Sequence, residues 1–208
     1  MLAQLAEIDM SLQNFSLDDL TKFTAEKTVA PNASKDFRLM YVGRDDVHEA
    51  LKEVLSRATT SIYLNMFGFD DEELNDILMT KIADPSILCV ITLDKSQAGG
   101  VHEKRILDSD AAKDPTGFSS HFVVGSSATH QITHTKGGVA DGLVGFEGST
   151  NWSASGEGSF VVKGQPGGVG YKAQNNTQTF FTCPYATSRF QAELLAEHLA
   201  AKHQQRKV

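Results

Sequence analysis

The chain has 208 residues, 40% of them hydrophobic, and a net charge of −7 from 19 basic and 26 acidic side chains. This length supports one sizeable core and is short for two, so we expect one main domain. The negative balance repels polyanions on average, so only a local basic patch could attract nucleic acid. No apolar run approaches the length of about 18 residues that a membrane span needs, and no signal segment is evident, so we expect a cytoplasmic protein.

Residues 1–34 are predicted to form a helical extension, with helices around 1–10 and 17–26. The stretch Pro31-Asn32-Ala33-Ser34 marks its boundary with a domain spanning 35–208. In that domain helices alternate with apolar strands, which is the pattern of an α/β layer fold. The predicted helices cover 45–55, 70–78, 101–107 and 187–199, and the predicted strands cover 60–67, 87–93, 121–124 and 177–182.

One motif dominates the second half of the chain. His134-Thr135-Lys136 is followed after four residues by Asp141, and after six more by Gly148-Ser149-Thr150-Asn151. Residues two apart on a strand point to the same face, so the histidine and lysine share a face, as do the serine and asparagine. The dipeptide Asp141-Gly142 favours a two-residue type I′ hairpin turn between them.

That turn would set the register of the hairpin. With a two-residue loop Ala140 pairs with Leu143, and His134 then faces Ser149 directly. A four-residue loop would keep this arrangement. A loop with an odd number of residues would move the motif residues of one strand to the opposite face.

These side chains suit phosphoryl transfer. A free imidazole has a pKa of about 6.5 and is largely neutral at cellular pH, so it can attack phosphorus. Lys136, Ser149 and Asn151 can neutralise or hydrogen-bond the non-bridging oxygens as charge develops. The leaving alkoxide also needs a proton, which one histidine cannot supply while it acts as the nucleophile. A second histidine is therefore required.

At these residues the chain resembles the phospholipase D superfamily, whose pattern is H-x-K-x4-D-x6-G-S-x-N. The resemblance implies an α/β/α sandwich with a mixed sheet, and a phosphodiesterase that forms a phosphohistidine without metal or cofactor. In the family two copies of the motif meet, and single-copy members pair as dimers. The only second candidate here is His102-Glu103-Lys104 with Asp108, in which the aspartate comes one residue early in a helical context. The resemblance thus implies a homodimer through the active-site face.

The chain departs from the family at two points. Family members carry an Asn-x-Glu element whose carboxylate orients the catalytic imidazole, whereas here either Thr177 or Gln178 stands at the glutamate. Glu147 is a candidate replacement or a simple cross-strand partner of Lys136. Gly137-Gly138 lies within a predicted strand, where glycine weakens pairing, favours a bulge or marks a close approach.

The expected site combines five catalytic residues with an overlapping set for substrate binding. Asp141 is included because it belongs to the motif, although a structural turn role fits it better. Trp152 could stack on a base, or could pack beside the site. The predicted catalytic residues are His134, Lys136, Asp141, Ser149 and Asn151. The predicted substrate-binding residues are Lys136, Ser149, Asn151, Trp152 and Gln178.

Nucleic acid is the leading substrate by resemblance, since roughly 200-residue members with one motif are most often nucleases. Phospholipid cleavage or phosphatidyl transfer is the alternative within the enzyme class. A degenerate module that binds a phosphate-bearing polymer without turnover is the third hypothesis. No metal is expected. His130 and His134 are four residues apart, but they lie on or before a strand, so the spacing of zinc ligands on a helix does not apply, and no further ligands are evident. Among the histidines outside the motif, His48, His121, His198 and His203 are expected in surface helices or at the start of a strand.

Overall fold

A seven-stranded sheet organises the chain in the computed structural model, which describes residues 11–126 and 132–205. The strand order is β1-β7-β6-β5-β2-β3-β4. The segment β2-β3-β4 is parallel and the other pairs are antiparallel, so the expected mixed sheet is confirmed. The strands are β1 (Phe37–Tyr41), β2 (Ser61–Met66), β3 (Leu88–Asp94), β4 (Phe122–Gly125), β5 (Lys136–Ala140), β6 (Val144–Gly148) and β7 (Thr177–Phe181).

Helices cover both faces of this sheet. The strand β1 and the helix α4 were not predicted, and α7 begins at Pro184, before the predicted cap, since proline is tolerated in a first helical turn. The helices are α1 (Val47–Arg57), α2 (Glu72–Ile82), α3 (Val101–Lys113), α4 (Pro115–His121), α5 (Ala154–Glu157), α6 (Ser159–Val162) and α7 (Pro184–Gln205), with 3-10 turns at Leu12–Asn14 and Leu17–Phe23.

The core lies mainly between the sheet and α1 to α3. Asp46 caps α1 by accepting from the backbone of Glu49, and the apolar stripe of α1 that follows is fully buried. A smaller cluster of Tyr63, Val139 and Leu194 lies on the other face, under α7. The two clusters make the α/β/α sandwich that was expected.

Residues that precede β1 also contribute to the main core. Leu12, Leu17 and Leu20 are almost fully buried in it, and Asp19 pairs with Arg57 of α1 at 2.7 Å. The boundary at residue 34, between a helical extension and the main domain, stays a prediction. The helix predicted for residues 1–10 lies outside the described part.

The hairpin between β5 and β6 differs from the expected register. Asp141 and Gly142 both take positive φ, as a type I′ turn requires, and Leu143 N–H donates to the Ala140 carbonyl at 3.0 Å. The ladder nevertheless starts with Ala140 opposite Val144, so Leu143 is a third loop residue. The prediction that Ala140 pairs with Leu143 and His134 with Ser149 is therefore wrong.

The Gly137-Gly138 pair marks a close approach and not a bulge, because β5 is continuous through it. A Cβ on Gly138 would stand 2.6 Å from the ring of Phe146 and 2.5 Å from the Tyr63 carbonyl oxygen. A Cβ on Gly137 would meet the Phe146 carbonyl oxygen at 2.5 Å. Any side chain here would force apart strands that also bear the motif.

Chain direction brings several strand ends to one edge of the sheet. The parallel strands β2 and β3 end there, β6 ends there, and β5 and β7 begin there, as the pairings Met66↔Lys136 and Gly148↔Gln178 require. Below, this edge is called the motif edge. Among the described residues, no helix is both long and apolar enough to cross a membrane.

Candidate active site

The motif edge holds His134 on top of an aromatic ring. His134 is exposed and lies two residues before Lys136, where β5 begins. Its ring meets the edge of the Phe67 ring with centroids 4.6 Å apart. Phe67 follows β2, and its backbone N–H donates to the Thr135 carbonyl at 3.1 Å. The imidazole is thus accessible to solvent while one side of it is supported by packing.

Lys136 lies beneath this histidine and is only 4% exposed. Its ammonium donates to the His134 carbonyl at 2.8 Å and stands 4.8 Å from the centre of the Phe67 ring. Burial lowers the pKa of this lysine, against the opposing charges of Glu147 and Asp94. The arrangement stores a weakly hydrated positive charge next to the imidazole, where a phosphate oxygen would need it.

Asp94 fixes the approach to the motif. This carboxylate ends β3, is 1% exposed, and accepts from the Thr133 backbone N–H at 2.5 Å. It also accepts from the Ser96 N–H at 2.8 Å. Because Thr133 directly precedes His134, Asp94 sets where the chain enters β5.

The second half of the motif leaves the sheet after Gly148. Ser149 Oγ donates to Asn176 Oδ1 at 3.1 Å and accepts from the Thr177 N–H at 3.1 Å. Asn151 Oδ1 accepts from the Gly68 N–H at 3.3 Å, one residue beyond Phe67. The chain therefore brings both motif halves to the same edge through contacts with β2 and β7, and not through direct cross-strand pairing of His134 with Ser149.

Gln178 and Glu147 occupy different faces of the sheet. Gln178 is 1% exposed and pairs with Gly148. If the register of β5 and β6 continues by one residue beyond Gly137 and Glu147, Gly148 lies opposite Lys136. The positions of Lys136, Gly148 and Gln178 therefore share one face of the sheet. Glu147 pairs with Gly137 and borders a groove beside α7 that Arg189 also lines. Of the two, Gln178 is the one that shares a face with Lys136.

Burial raises the pKa of the Glu147 carboxyl, and the charge of Lys136 opposes that rise. The two groups therefore feel each other's charge across the sheet. Gly137, and not Lys136, is the ladder partner of Glu147, so Glu147 acts on Lys136 through its charge and not as a directly opposed ion-pair partner.

Comparison with solved structures finds the same architecture. Nuc from Salmonella typhimurium, a phospholipase D family member, superposes with a TM-score of 0.56 at 14% identity, over 77% of this chain and 92% of that one. NucT from Helicobacter pylori gives 0.56 at 12% identity, over 79% and 98%. Phosphatidylserine synthase from Haemophilus influenzae Rd KW20 gives 0.56 at 13% identity, over 83% of this chain and 38% of that one.

The chain has the phospholipase D fold. By sequence alone, no protein-family model and no curated protein matches it. Since the identities are 12 to 14%, the likeness concerns the course of the backbone and leaves the chemistry to be argued from the side chains.

Within this phospholipase D fold, Asp141 lies at the far end of the hairpin from His134. Its carboxylate accepts from the backbone N–H groups of Thr59, Thr60 and Ser61 and from two threonine hydroxyls. The five-residue strand β5 separates it from the motif edge by about 16 Å. Its expected catalytic role is thus replaced by a structural one at the turn.

Trp152 also differs from its expected role as a substrate contact. It is 1% exposed and packs against Phe69 with ring centroids 6.0 Å apart. No free ring face remains for a base, so the packing alternative describes it.

Within the described part of the chain, two groups of side chains have the residue types of a metal site. One is His48 with Asp71 and Glu157, the other His48 with Glu49 and Glu73, each with ligand atoms within 4.8 Å of one another. In the second group the ammonium of Lys52 already lies between the two glutamates, 2.9 Å from Glu49 and 2.6 Å from Glu73.

In the first group His48 Nδ1 and Glu157 Oε2 are 2.6 Å apart, a hydrogen-bond distance. His130, which formed part of the metal consideration in the sequence, lies outside the described residues.

Sequence reasoning missed three contributors to the site. Phe67 and Asp94 each come at the end of a buried strand, and the position of a residue at a parallel strand's carboxyl end was the available signal. His48 is 2% exposed, contrary to the expectation of a surface histidine. Its place within the apolar stripe of α1, next to Val47, was the signal there.

Proposed function

We propose that this chain is a metal-independent phosphodiesterase that acts through a covalent phosphohistidine on His134. The observation that carries the proposal is the exposed imidazole beside the buried ammonium of Lys136, both braced by Phe67. Asn151 and Ser149 lie at the same edge; the amide N–H of Asn151, and the hydroxyl of Ser149 once it turns away from Asn176, supply further donors for phosphate oxygens.

In the first step a ring nitrogen of His134 attacks phosphorus and the bond from phosphorus to the leaving oxygen breaks. A second imidazolium gives its proton to that oxygen. In the second step the now neutral second imidazole takes a proton from water, whose oxygen attacks phosphorus. The bond between phosphorus and nitrogen then breaks, which releases a phosphomonoester and restores both histidines.

The second imidazole would come from another copy of the chain. A twofold axis through the motif edge would bring His134 of the partner subunit to the opposite side of the phosphate. The exposure of His134 supports this, as does Ile132, which is 55% exposed two residues earlier. A sedimentation measurement that finds an active monomer would contradict the dimer.

The substrate proposed is nucleic acid. The chain spans 92% and 98% of Nuc and NucT but 38% of phosphatidylserine synthase, so its size corresponds to the compact proteins with this fold. A net charge of −7 disfavours tight binding of long duplexes, which favours short or single-stranded substrates.

The test uses bis(p-nitrophenyl) phosphate in EDTA, with wild type beside His134→Ala. We expect the variant to lose at least about 10³-fold in rate, because it lacks the nucleophile. His102→Ala is the matched control, since His102 is an exposed helical histidine in the incomplete second motif. Equal rates in all three proteins, or hydrolysis that requires a divalent metal, would overturn the proposal.

Turnover of activated diester would then justify a choice among natural substrates. Single-stranded DNA, single-stranded RNA and phosphatidyl vesicles are compared at equal phosphodiester concentration. Cleavage of lipid alone would replace nucleic acid with the phosphatidyl alternative.

Gln178 favours a second candidate, a module that binds phosphate polymers without turnover. An amide at this position can hydrogen-bond an imidazole but cannot stabilise imidazolium by charge. Binding of an oligonucleotide that depends on Lys136, without any acid-labile phosphate on His134 after mixing with substrate, would support this candidate over the enzyme.

A further inference from the structure

A buried charged cluster lies behind the motif edge. His48 of α1 stands between two carboxylates, with its Nδ1 at 2.6 Å from Glu157 Oε2 and 3.5 Å from Asp71 Oδ2. His48 is 2% exposed and Glu157 is 0% exposed, so the contacts are hidden from water. Glu157 Oε1 has no hydrogen-bond partner among the described residues. Burying such a cluster costs free energy, and the cluster connects two segments of the chain.

Its two carboxylates belong to two segments that run side by side. Asp71 ends the segment 67–71, which follows β2, and Glu157 ends the segment 149–157, which follows β6. Between them Gly68 N–H donates to Asn151 at 3.3 Å, Trp152 N–H donates to the Gly68 carbonyl at 2.9 Å, and Asp70 N–H donates to the Trp152 carbonyl at 2.6 Å. His48 joins the far ends of the same two segments.

The two segments pack so closely that neither can move without displacing the other. A Cβ on Gly68 would be 2.9 Å from Asn151 Cγ. Movement of either segment would therefore displace Asn151 relative to Phe67, on which His134 rests. A displacement of about 1 Å at such a site can cost up to 100-fold in rate.

We propose that His48, Asp71 and Glu157 form a clasp that positions Asn151 against the His134 face of the motif edge. Below this cluster is called the clasp. It is a positioning device: its members act through Asn151 and do not touch the substrate. The inference deepens the proposed phosphodiesterase and rests on it for its kinetic readout.

The clasp also carries a sensitivity to alkaline pH. Burial lowers the pKa of His48, but the hydrogen bond and charge of Glu157 and the charge of Asp71 outweigh it and raise that pKa to about 9. Burial raises the pKa of Glu157, and the hydrogen bond and charge of His48 oppose that rise. Because the groups are coupled, the proton is lost from the clasp as a unit.

The other titratable groups around the clasp come from α1, α2 and the loop after α6. Lys52 hydrogen-bonds Glu49 and Glu73 on the outer side of His48. Tyr171, whose hydroxyl donates to the Ala154 carbonyl at 3.0 Å, lies beside Glu157, and burial raises its pKa. Tyr171→Phe therefore serves as the control for titration of the phenol.

The kinetic test is a double-mutant cycle between Glu157→Gln and Asn151→Ala. We expect Glu157→Gln to lower kcat by about 10- to 100-fold with a smaller change in KM, and to add less than about threefold on top of Asn151→Ala. Lys52→Met is the matched control, because Lys52 contacts the outer glutamates and not the segment 149–157. We expect it to keep wild-type kcat.

A purely structural role gives a different pattern. The clasp variant would then lower the melting temperature while each folded molecule kept its kcat, or the two losses would multiply in the double variant. Either pattern overturns the inference. If Glu157→Gln fails to fold, His48→Asn, which keeps an N–H donor near Nδ1, takes its place in the cycle.

A fluorescence test does not depend on any activity. Trp152 is the single tryptophan of the sequence, and it lies in the segment that the clasp holds. We expect acrylamide to quench it poorly at pH 7 and better above about pH 9, where the clasp loses its proton. In Glu157→Gln the increase should begin at lower pH, because His48 has lost its charged partner.

The two tests separate the two ideas. Absence of diesterase activity with a pH-dependent change in Trp152 quenching would reject the proposed function and retain the clasp. Activity with quenching that is flat between pH 7 and 10, or unchanged by Glu157→Gln, would reject the clasp and retain the function.

Discussion

The two ends of the β5–β6 hairpin carry the same motif but differ in how their polar groups are used. At the turn, the Asp141 carboxylate is saturated by donors from Thr59, Thr60 and Ser61. At the motif edge, His134 is exposed and Lys136 donates to the His134 carbonyl oxygen, with an aromatic ring beside it.

The two ends also differ in how folding changes the pKa of their charged groups. Donors lower the pKa of Asp141 even though burial opposes them, so the folded protein favours its charge. Burial lowers the pKa of Lys136, so the folded protein holds its charge at a cost. Groups kept in unfavourable states are more often functional than groups that are fully satisfied.

Among the changes that test this contrast, Lys136→Met has the largest expected effect. Removing the buried ammonium should lower kcat by about 10²- to 10³-fold, because a donor to the developing phosphate charge is lost. The apolar side chain fits a site bordered by Phe67, so stability should hold or rise. Steady-state rates on the activated diester and thermal melts measure both.

Lys95 offers the matched control, being an exposed lysine that directly follows β3 at the same edge. Lys95→Met should retain the wild-type rate. If it loses as much activity as Lys136→Met, then general surface charge, and not the buried ammonium, supports turnover.

Asp141→Asn should act on stability and leave chemistry alone. Asparagine tolerates the positive φ of this position, but it accepts fewer bonds and carries no charge. We expect the free energy of unfolding to fall by about 2 kcal/mol near pH 7. The value of kcat per folded molecule should not change, and urea melts with parallel kinetics would show it.

The pH dependence sharpens this second prediction. The folded pKa of Asp141 is below the ordinary value of 3.8, so its stabilisation is present above that pH and is lost as the pH falls through the folded pKa. Asp141→Asn should lack this acid loss. A variant that kept full stability but lost turnover would break the division between the two ends.

The smallest expected effect comes from Gln178→Glu. A carboxylate in the row of Lys136 would favour imidazolium formation and could raise kcat by about fivefold, the equivalent of about 1 kcal/mol. Thr177→Glu tests the other alignment with the Asn-x-Glu element and should give no gain. A gain in Thr177→Glu alone would transfer the orienting position to residue 177.

Much of the fold followed from periodicity, as α1 and the strands β2 and β3 illustrate. The hairpin loop did not, because Asp141-Gly142 favours a two-residue turn only when local geometry decides. Here the donors at Thr59–Ser61 hold Asp141 from outside the hairpin, and Leu143 becomes an extra loop residue. The turn preference of two adjacent residues cannot predict a contact between residues 80 positions apart.

For the candidate site, the sequence pointed to the motif residues but not to the residues that hold them in place. His134 and Lys136 stand out in the sequence as a motif, whereas Phe67, Asp94 and Glu157 are single residues with no pattern of their own. Their roles arise only when β2, β3 and β6 end at one edge. Support of this kind is a property of topology, and spacing along the chain does not encode it.

The bond from Gly68 to Asn151 joins residues 83 positions apart. During synthesis the amino-terminal half of the chain emerges first, at about 5 to 20 residues per second. Asn151 can therefore reach the Gly68 backbone only after residue 151 has left the ribosome, several seconds after Gly68. The motif edge is therefore completed late, after most of the domain has been made.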